Sequence, residues 1–165
     1  MGKERKKLLA IASSGGHWVQ LMRLRPAWDN CDVAYMTTEL AYRDETLAYA
    51  KEKGLSAPRF YKTIVATRWQ KFSLVRQLFD ILLVLIKERP NVIISTGAAP
   101  GFFAIRVGKL LGAKTLWVDS IANAEELSLS GQKICNHADV CLTQWPELAG
   151  QDGKEKTPQF WGAVL

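Results

Sequence analysis

Short runs of apolar residues alternate with amphipathic segments along most of the chain. The apolar runs predict strands at 8–12, 31–38, the start of 59–67, 91–96, 114–120 and 138–144. Apolar residues at helical spacing predict helices after Gly16 and at 42–54, 70–90 and 101–112. Strands that alternate with helices form βαβ units, so the pattern predicts the α/β class: a Rossmann-like, mostly parallel sheet with helices on both faces.

A parallel sheet binds its ligands at the carboxyl ends of the strands. The loops to search are therefore those at 13–17, 95–101, 119–126 and 144–147. The first two contain serines, glycines and alanines just before a helix. Free amide groups and the helix dipole at such a position suit an anion such as phosphate. For either loop alone, a tight turn that needs glycine is the alternative.

Two nucleotide-binding motifs are excluded by their spacing. The first loop has adjacent glycines instead of the G-x-G-x-x-G pattern of dinucleotide-binding proteins. The second loop is followed by Gly108-Lys109, but a Walker A motif needs glycine where Phe103 stands and Ser or Thr where Leu110 stands.

Two titratable residues lie in these loops. His17 follows the first pair of glycines, where a neutral imidazole could accept a proton from an attacking hydroxyl; a helix-capping or packing histidine is the alternative. Asp119 ends the predicted strand at 114–120, as a helix cap or as a polar ligand contact.

The charge of the chain favours an anionic partner. Its 165 residues fit one domain, 1–165, in which 150–158 reads as an exposed loop before a short C-terminal segment. The net charge is +6, which leaves nucleic acid, phospholipid and phosphorylated small molecules open. Nucleic acid is disfavoured because the chain has neither a clustered aromatic–basic motif nor a helix-turn-helix pattern.

The three cysteines form no even framework, which predicts a reducing compartment and no disulfides. Cys135, His137 and Cys141 lie close together, but no second pair of ligands completes a zinc set, so no metal site is predicted. Cys141 alternates within a strand and is expected in the core.

Two segments suit a membrane surface. Lys6 and Lys7 belong to a basic N-terminal cluster, and 68–89 combines aromatic residues with cations, beginning with Arg68, Trp69 and Phe72. The run at 81–86 is far shorter than the ~20 residues of a membrane-spanning helix, and a place in the core is the favoured reading for it.

Four stretches of sequence occur in the order seen in one family. They are SSGGHWVQLMRL, VIISTGAAPGFFAIRVGKLLGAKTLWVDS, LSLSGQKI, and ADVCLTQWPELA with PQFWGAVL. The chain resembles the acceptor-side subunit of two-chain UDP-sugar glycosyltransferases. One branch is the bacterial PssD-type exopolysaccharide subunit, and the other is eukaryotic and acts in dolichyl-diphosphate chitobiose synthesis. More distantly, the chain is similar to the N-terminal half of MurG.

The resemblance implies one half of a GT-B glycosyltransferase, acting in an inverting transfer and inactive alone. It implies a heterodimer with a donor-binding PssE-type subunit, a UDP-sugar in the shared cleft and a polyprenyl-diphosphate-linked acceptor, with no cofactor. The expected location is cytoplasmic, peripheral on the inner face of the plasma membrane. The eukaryotic subunit has an N-terminal membrane helix, where this chain has only the basic KERKK.

Matching residue by residue, the resemblance implies that His17 is the catalytic base or orients the acceptor hydroxyl, with Asp119 as the competing candidate for the base. It implies that the substrate phosphates contact Ser14, Gly15, Gly16, Thr96, Gly97, Ala98, Ala99, Pro100, Gly101 and Ser120. The alternative function is a non-catalytic scaffold that binds an anion or a nucleotide.

Overall fold

A seven-stranded parallel sheet forms the centre of the computed structural model, which describes residues 5–67, 69–150 and 158–164. The strands are β1 (Lys7–Ile11), β2 (Asp32–Thr37), β3 (Arg59–Lys62), β4 (Val92–Ser95), β5 (Lys114–Val118), β6 (Val140–Thr143) and β7 (Gln159–Phe160). Their order is β3-β2-β1-β4-β5-β6-β7, and each neighbouring pair is parallel. The predicted Rossmann-like sheet is confirmed. Its topological switch point lies between β1 and β4, and the carboxyl edge at such a point is where sheets of this kind bind their ligands, in a crevice between the loops.

Five α-helices connect the strands. They are α1 (Gly16–Leu24), α2 (Tyr42–Glu52), α3 (Lys71–Glu88), α4 (Ala98–Leu110) and α5 (Leu129–Ile134), with 3₁₀ turns at Arg25–Trp28 and Pro146–Leu148. The four predicted helices are confirmed, but α4 begins at Ala98 instead of 101. The sequence did not predict α5 and β7, because six and two residues are too short to show a period.

Both faces of the sheet are covered because successive side chains of a strand point to opposite sides. Leu9 and Ile11 of β1 pack in a core with residues of α3, α4 and α5. Leu8 and Ala10 pack on the other face with α1, whose Trp18, Leu21 and Met22 are buried there. Helices on both faces are therefore confirmed.

Two glycines let α4 lie close against β4. A Cβ at Gly101 would come within 2.8 Å of Ser95 Cβ and still nearer to Ser95 Oγ, and a Cβ at Gly108 would overlap Ile93 Cδ1. Both positions are buried. These glycines serve the contact between helix and sheet.

Charged side chains pair at the amino edge of the sheet. Arg59 donates to Asp32 at 2.8 Å and to the buried Glu88 at 2.7 Å, and the Tyr61 hydroxyl also donates to Glu88. The hydrogen bond from Arg59 lowers the pKa of Asp32. Burial and then the bond to Glu88 raise the pKa of Tyr61 to about 12. Further along this edge, Lys109 and Asp139 form another ion pair.

Cys135 and Cys141 are joined by a disulfide, and Cys31 is free. The expectation of no disulfide was therefore wrong, and the cysteine count gives no ground for a reducing compartment. The chain turns back between α5 and β6 and brings the two Cα atoms to 5.1 Å, a proximity that a count cannot show. Cys141 is buried, as expected of a core position.

Across the described residues, no helix is both long enough and apolar enough to cross a bilayer. The predicted exposed loop at 150–158 lies mostly outside the described residues, because 151–157 are not among them.

Candidate functional site

The loop after β1 is open to solvent. The Ser14 amide donates to Thr38 Oγ1 at 3.0 Å, and the Gly15 amide donates to the Tyr42 hydroxyl at 3.3 Å. Gly15 has φ +82°, which favours glycine. Gly15 and Gly16 are exposed, and a Cβ on either would meet no atom within 4 Å. The predicted first loop therefore has room for a ligand beside the first amides of α1.

His17, the second residue of α1, joins this loop to the one after β4. Its Nδ1 lies 2.9 Å from the Thr96 carbonyl oxygen, and Thr96 Oγ1 donates to the His17 carbonyl oxygen at 2.6 Å. A carbonyl only accepts hydrogen bonds, so Nδ1 carries the proton. Nε2 makes no hydrogen bond with any described residue. In the half-buried neutral ring, Nε2 is the proton acceptor.

The ring of this histidine occupies the space beside the loop after β4. Gly97 is buried with φ +140°, and a Cβ there would overlap Nδ1 and Cε1 of the His17 ring. Ala98 begins α4 with φ +65°, an uncommon conformation for a residue other than glycine. Ala99 is half-buried, and Pro100 and Gly101 are buried in the first turn of α4. The structure brings Thr96 and Gly97 to His17 but places Pro100 and Gly101 in the contact between helix and sheet.

Asp119 follows β5 and is only 1% exposed. Its carboxylate accepts from four donors: Ser128 N at 2.8 Å, Ser128 Oγ at 2.6 Å, Asn123 Nδ2 at 3.1 Å and Trp117 Nε1 at 3.1 Å. Ser128 in turn caps α5 by accepting from the Gly131 amide. Asp119 therefore holds the loop between β5 and α5 in place.

Two buried glutamines link Ser120 to the rest of this edge. Gln20 of α1 donates to Ser120 Oγ at 3.2 Å and accepts from Gln144 Nε2 at 2.8 Å. Gln144 also donates to the Asp119 carbonyl oxygen and accepts from the Val164 amide, both within 2.9 Å. Sequence reasoning missed this network. An amide on the apolar stripe of α1 was the signal, because buried amides need partners.

The predicted membrane residues lie at opposite ends of the fold. Lys6 and Lys7 are at the amino edge, where β1 begins, whereas Trp69 and Phe72 lie near the start of α3, at the carboxyl edge. Arg68 lies outside the described residues. One stripe along α3 connects the two ends: its apolar side chains, from 93% exposed at the first to 53% at the last, are Phe72, Val75, Phe79, Leu83 and Ile86.

The run at 81–86 is divided between two environments. Ile81, Val84 and Leu85 are buried, as the core reading expects, whereas Leu83 and Ile86 belong to the exposed stripe. A helix turns 100° per residue, so one apolar run can supply both faces.

Solved structures with this fold include a MurG protein and UDP-N-acetylglucosamine 2-epimerases. Acinetobacter baumannii MurG matches with TM-score 0.69 and 12% identity over 94% of this chain and 45% of its own. UDP-N-acetylglucosamine 2-epimerase of Rickettsia bellii matches with TM-score 0.68 and 15% identity over 98% of this chain and 46% of its own. The chain therefore spans less than half of these proteins. The chain has the Rossmann-like α/β fold of the part of each protein that it matches.

The chain belongs to the family of Alg14-like oligosaccharide biosynthesis proteins, because the sequence model of that family matches residues 8–164. Relatives named UDP-N-acetylglucosamine transferase subunit ALG14 include those of Eremothecium gossypii, 28% identical over 97% of this chain and 80% of the relative, and Schizosaccharomyces pombe, 29% identical over 96% and 83%. The human protein is 26% identical over 95% and 81%. The predicted family is confirmed.

Proposed function

We propose that this chain is the acceptor-binding and membrane-recruiting subunit of a split glycosyltransferase. With a donor-binding PssE-type partner, it transfers a sugar from a UDP-sugar to a polyprenyl-diphosphate-linked saccharide. The observation that carries this proposal is the pairing of an open glycine loop with His17 at the switch point of the sheet. The names of the relatives make UDP-N-acetylglucosamine the first donor to test.

In the proposed reaction, Nε2 of His17 accepts the proton of the acceptor hydroxyl as its oxygen attacks the anomeric carbon. The bond from that carbon to the UDP oxygen breaks, its electron pair leaves with UDP, and the configuration inverts. The amides at the start of α1, beside Ser14, Gly15 and Gly16, contact the substrate diphosphate. Ala98 and Ala99 offer a second set of amides at the start of α4.

Asp119 is the weaker candidate for the base. Its two carboxylate oxygens already accept four hydrogen bonds, and its side chain is buried. A general base must reach the proton that it removes. We therefore assign Asp119, with Ser120, to holding the carboxyl-edge loop in place.

The exposed stripe of α3 supports membrane recruitment. Five large apolar side chains face outward along a helix about 27 Å long. Lys71, Arg76 and Lys87 are exposed on the same helix, which suits the headgroup level of an anionic bilayer. Because the start of α3 lies at the carboxyl edge, this contact keeps the crevice near a lipid-linked acceptor, on the cytoplasmic face of the plasma membrane.

Reconstitution of the complex tests the enzymatic part. The chain and a donor-binding subunit are purified separately and together, then assayed with UDP-N-acetylglucosamine, UDP-glucose and UDP-glucuronate on a polyprenyl-diphosphate acceptor. We expect transfer only by the mixture. Full activity of the chain alone would overturn the split-enzyme proposal. If His17→Ala left the activity of the complex unchanged while Gly16→Val abolished partner or ligand binding, the non-catalytic scaffold would be the better description.

Sedimentation with vesicles tests the membrane part. The double variant Phe72→Ser/Phe79→Ser should lose binding to vesicles that contain anionic phospholipid, whereas the parent chain should bind. Leu129→Ser is the matched control, because Leu129 is 60% exposed but lies on α5. Equal binding by the double variant and the parent chain would contradict a role for α3.

A further inference from the structure

Thr96 and Gly97, to which the resemblance assigns phosphate contacts, both lie against the imidazole of His17. Thr96 makes two hydrogen bonds to His17, one from each direction: its carbonyl accepts from Nδ1 and its hydroxyl donates to the backbone carbonyl. Thr96 is fully buried at the end of β4, so this anchor belongs to the rigid sheet. We propose that Thr96 and Gly97 are positioning residues that fix His17 as its Nδ1–H tautomer, with Nε2 left as the proton acceptor.

The Thr96 carbonyl selects the tautomer. In the Nε2–H form, Nδ1 would present a lone pair to a carbonyl oxygen 2.9 Å away, and two acceptors repel each other. In the Nδ1–H form the same distance is a good hydrogen bond. The hydrogen bond made by one ring nitrogen thus decides which form the other takes.

Gly97 makes room for the ring. Its α-carbon lies beneath Nδ1 and Cε1, and any side chain there would displace the imidazole from the Thr96 carbonyl. Its φ of +140° also disfavours other residues. This glycine is therefore explained by the histidine, with no phosphate required at that α-carbon.

The catalytic consequence rests on the proposed function. A base already in the Nδ1–H form has its lone pair at Nε2 before the acceptor binds, so no proton has to move between the ring nitrogens first. Held by β4 and α1 together, Nε2 keeps one position relative to the open loop at Ser14–Gly16.

The tautomer can be measured in the full chain without its partner. The protein has two histidines, so His137→Asn leaves His17 as the only imidazole. Its ring nitrogens are followed by ¹⁵N NMR about two pH units above the ordinary histidine pKa of about 6.5. We expect the proton on Nδ1 and a bare Nε2. A spectrum dominated by the Nε2–H form would overturn the proposal, whether or not the complex is active.

Variants of Thr96 separate positioning from general stability. Thr96→Val removes the hydroxyl that holds the His17 backbone, and Thr96→Ser keeps it. We expect Thr96→Val, which keeps the backbone carbonyl that selects the Nδ1–H form, to lower kcat of the complex about tenfold or more, with KM for the UDP-sugar little changed. Thr96→Ser should retain both. Thr46→Val is the control: this buried hydroxyl also donates to a backbone carbonyl, at 2.7 Å, but lies in α2.

Gly97→Ala gives an independent test, since its methyl group should push the ring aside and abolish the Nδ1–H preference. An unchanged tautomer in Gly97→Ala, or an unchanged kcat in Thr96→Val, would contradict the corresponding positioning role. If the parent chain shows the Nδ1–H form and the complex transfers no sugar, the positioning stands and the proposed function fails. If the complex is active and the Nε2–H form dominates, the proposed function stands and the positioning roles fail.

Discussion

The amino and carboxyl edges of the same sheet are held together by different chemistry. At the amino edge, Arg59 bridges Asp32 and Glu88, and Lys109 pairs with Asp139. At the carboxyl edge, neutral amides and hydroxyls do the corresponding work, in pairs such as Gln20 with Gln144. Among the described residues, no ion pair involves a loop of the carboxyl edge.

This difference separates stability from binding. A charge that is already paired contributes to the fold but offers little to a ligand, whereas the amides in the first turn of α1 and Nε2 of His17 remain available. Asp119, a buried carboxylate of the carboxyl edge, is enclosed by four donors and adds no exposed negative charge. The open loop at Gly15 and Gly16 is therefore well suited to an anionic substrate.

The largest expected effect comes from exchanging the histidine at each edge. His17→Gln should lower the transfer rate of the reconstituted complex about 10²- to 10⁴-fold, because it removes the base from the carboxyl edge. His137→Gln alters an exposed residue that precedes β6 at the amino edge and should leave the rate unchanged. Initial rates at saturating donor and acceptor check both. Equal rates for the two variants would remove the distinction between the edges.

A variant of the ion pairs at the amino edge should change stability and leave the transfer rate unchanged. Arg59→Met leaves the buried Glu88 without its cation and should lower the free energy of unfolding by about 3 kcal/mol. Its transfer rate per folded complex should match that of the parent, since Arg59 is distant from the crevice. Urea unfolding measures the first quantity and the assay the second. A lost rate with unchanged stability would contradict the separation.

The sheet could be predicted because central parallel strands are buried on both faces. Strands such as β1 and β4 then read as continuous apolar runs, and their parallel direction follows from the alternation with helices. The short α5 and the two-residue β7 could not be predicted, because their stability comes from tertiary partners. Ser128 caps α5 only because Asp119 holds it, and β7 pairs with an existing strand.

The sequence predicts which loops form the candidate site, but it does not predict how the residues of those loops are arranged. Sheet topology brings the loops of His17 and Thr96 to one crevice, as the sequence indicates. Which glycine is open and which is packed depends on distances between elements that no spacing contains. The loop at Gly15 and Gly16 is open, whereas Gly97 lies under an imidazole ring. Roles for these residues in binding stay predictions.

A third prediction contrasts two glycines of the carboxyl edge. Gly101→Ala forces a methyl group against Ser95 and should cost about 1–3 kcal/mol of unfolding free energy. Gly16→Ala meets no atom and should change stability by less than about 1 kcal/mol. Gly16→Ala should instead slow transfer, since its methyl group occupies space proposed for phosphate. Urea unfolding and the transfer assay separate the two.

A double-variant cycle is the control for Gly101. Ser95→Gly removes the two nearest atoms that the new methyl group would meet and leaves Trp117 Cζ3 at 3.3 Å, so the cost of Gly101→Ala should be smaller in that background. If the losses of unfolding free energy in the two single variants simply add in the double variant, the packing of α4 on β4 is not the cause of the loss in Gly101→Ala.

The smallest effect is on the alkaline side of the stability curve. Burial and the bond to Glu88 raise the pKa of Tyr61 to about 12 in the folded chain, above the unfolded value of about 10. Between these values the unfolded state has already lost a proton that the folded state retains, so stability falls as pH rises through this window. Tyr61→Phe should make that fall shallower without abolishing it, because the pKa values of Tyr35 and Tyr49 are raised too.

On the acid side, the lowered pKa of Asp32 means that stability is lost as pH falls below about 3.9, and this limb should keep its slope in Tyr61→Phe. Urea unfolding across both limbs checks the prediction, and an unchanged alkaline slope would show that the Tyr61–Glu88 bond does not couple the amino edge to pH.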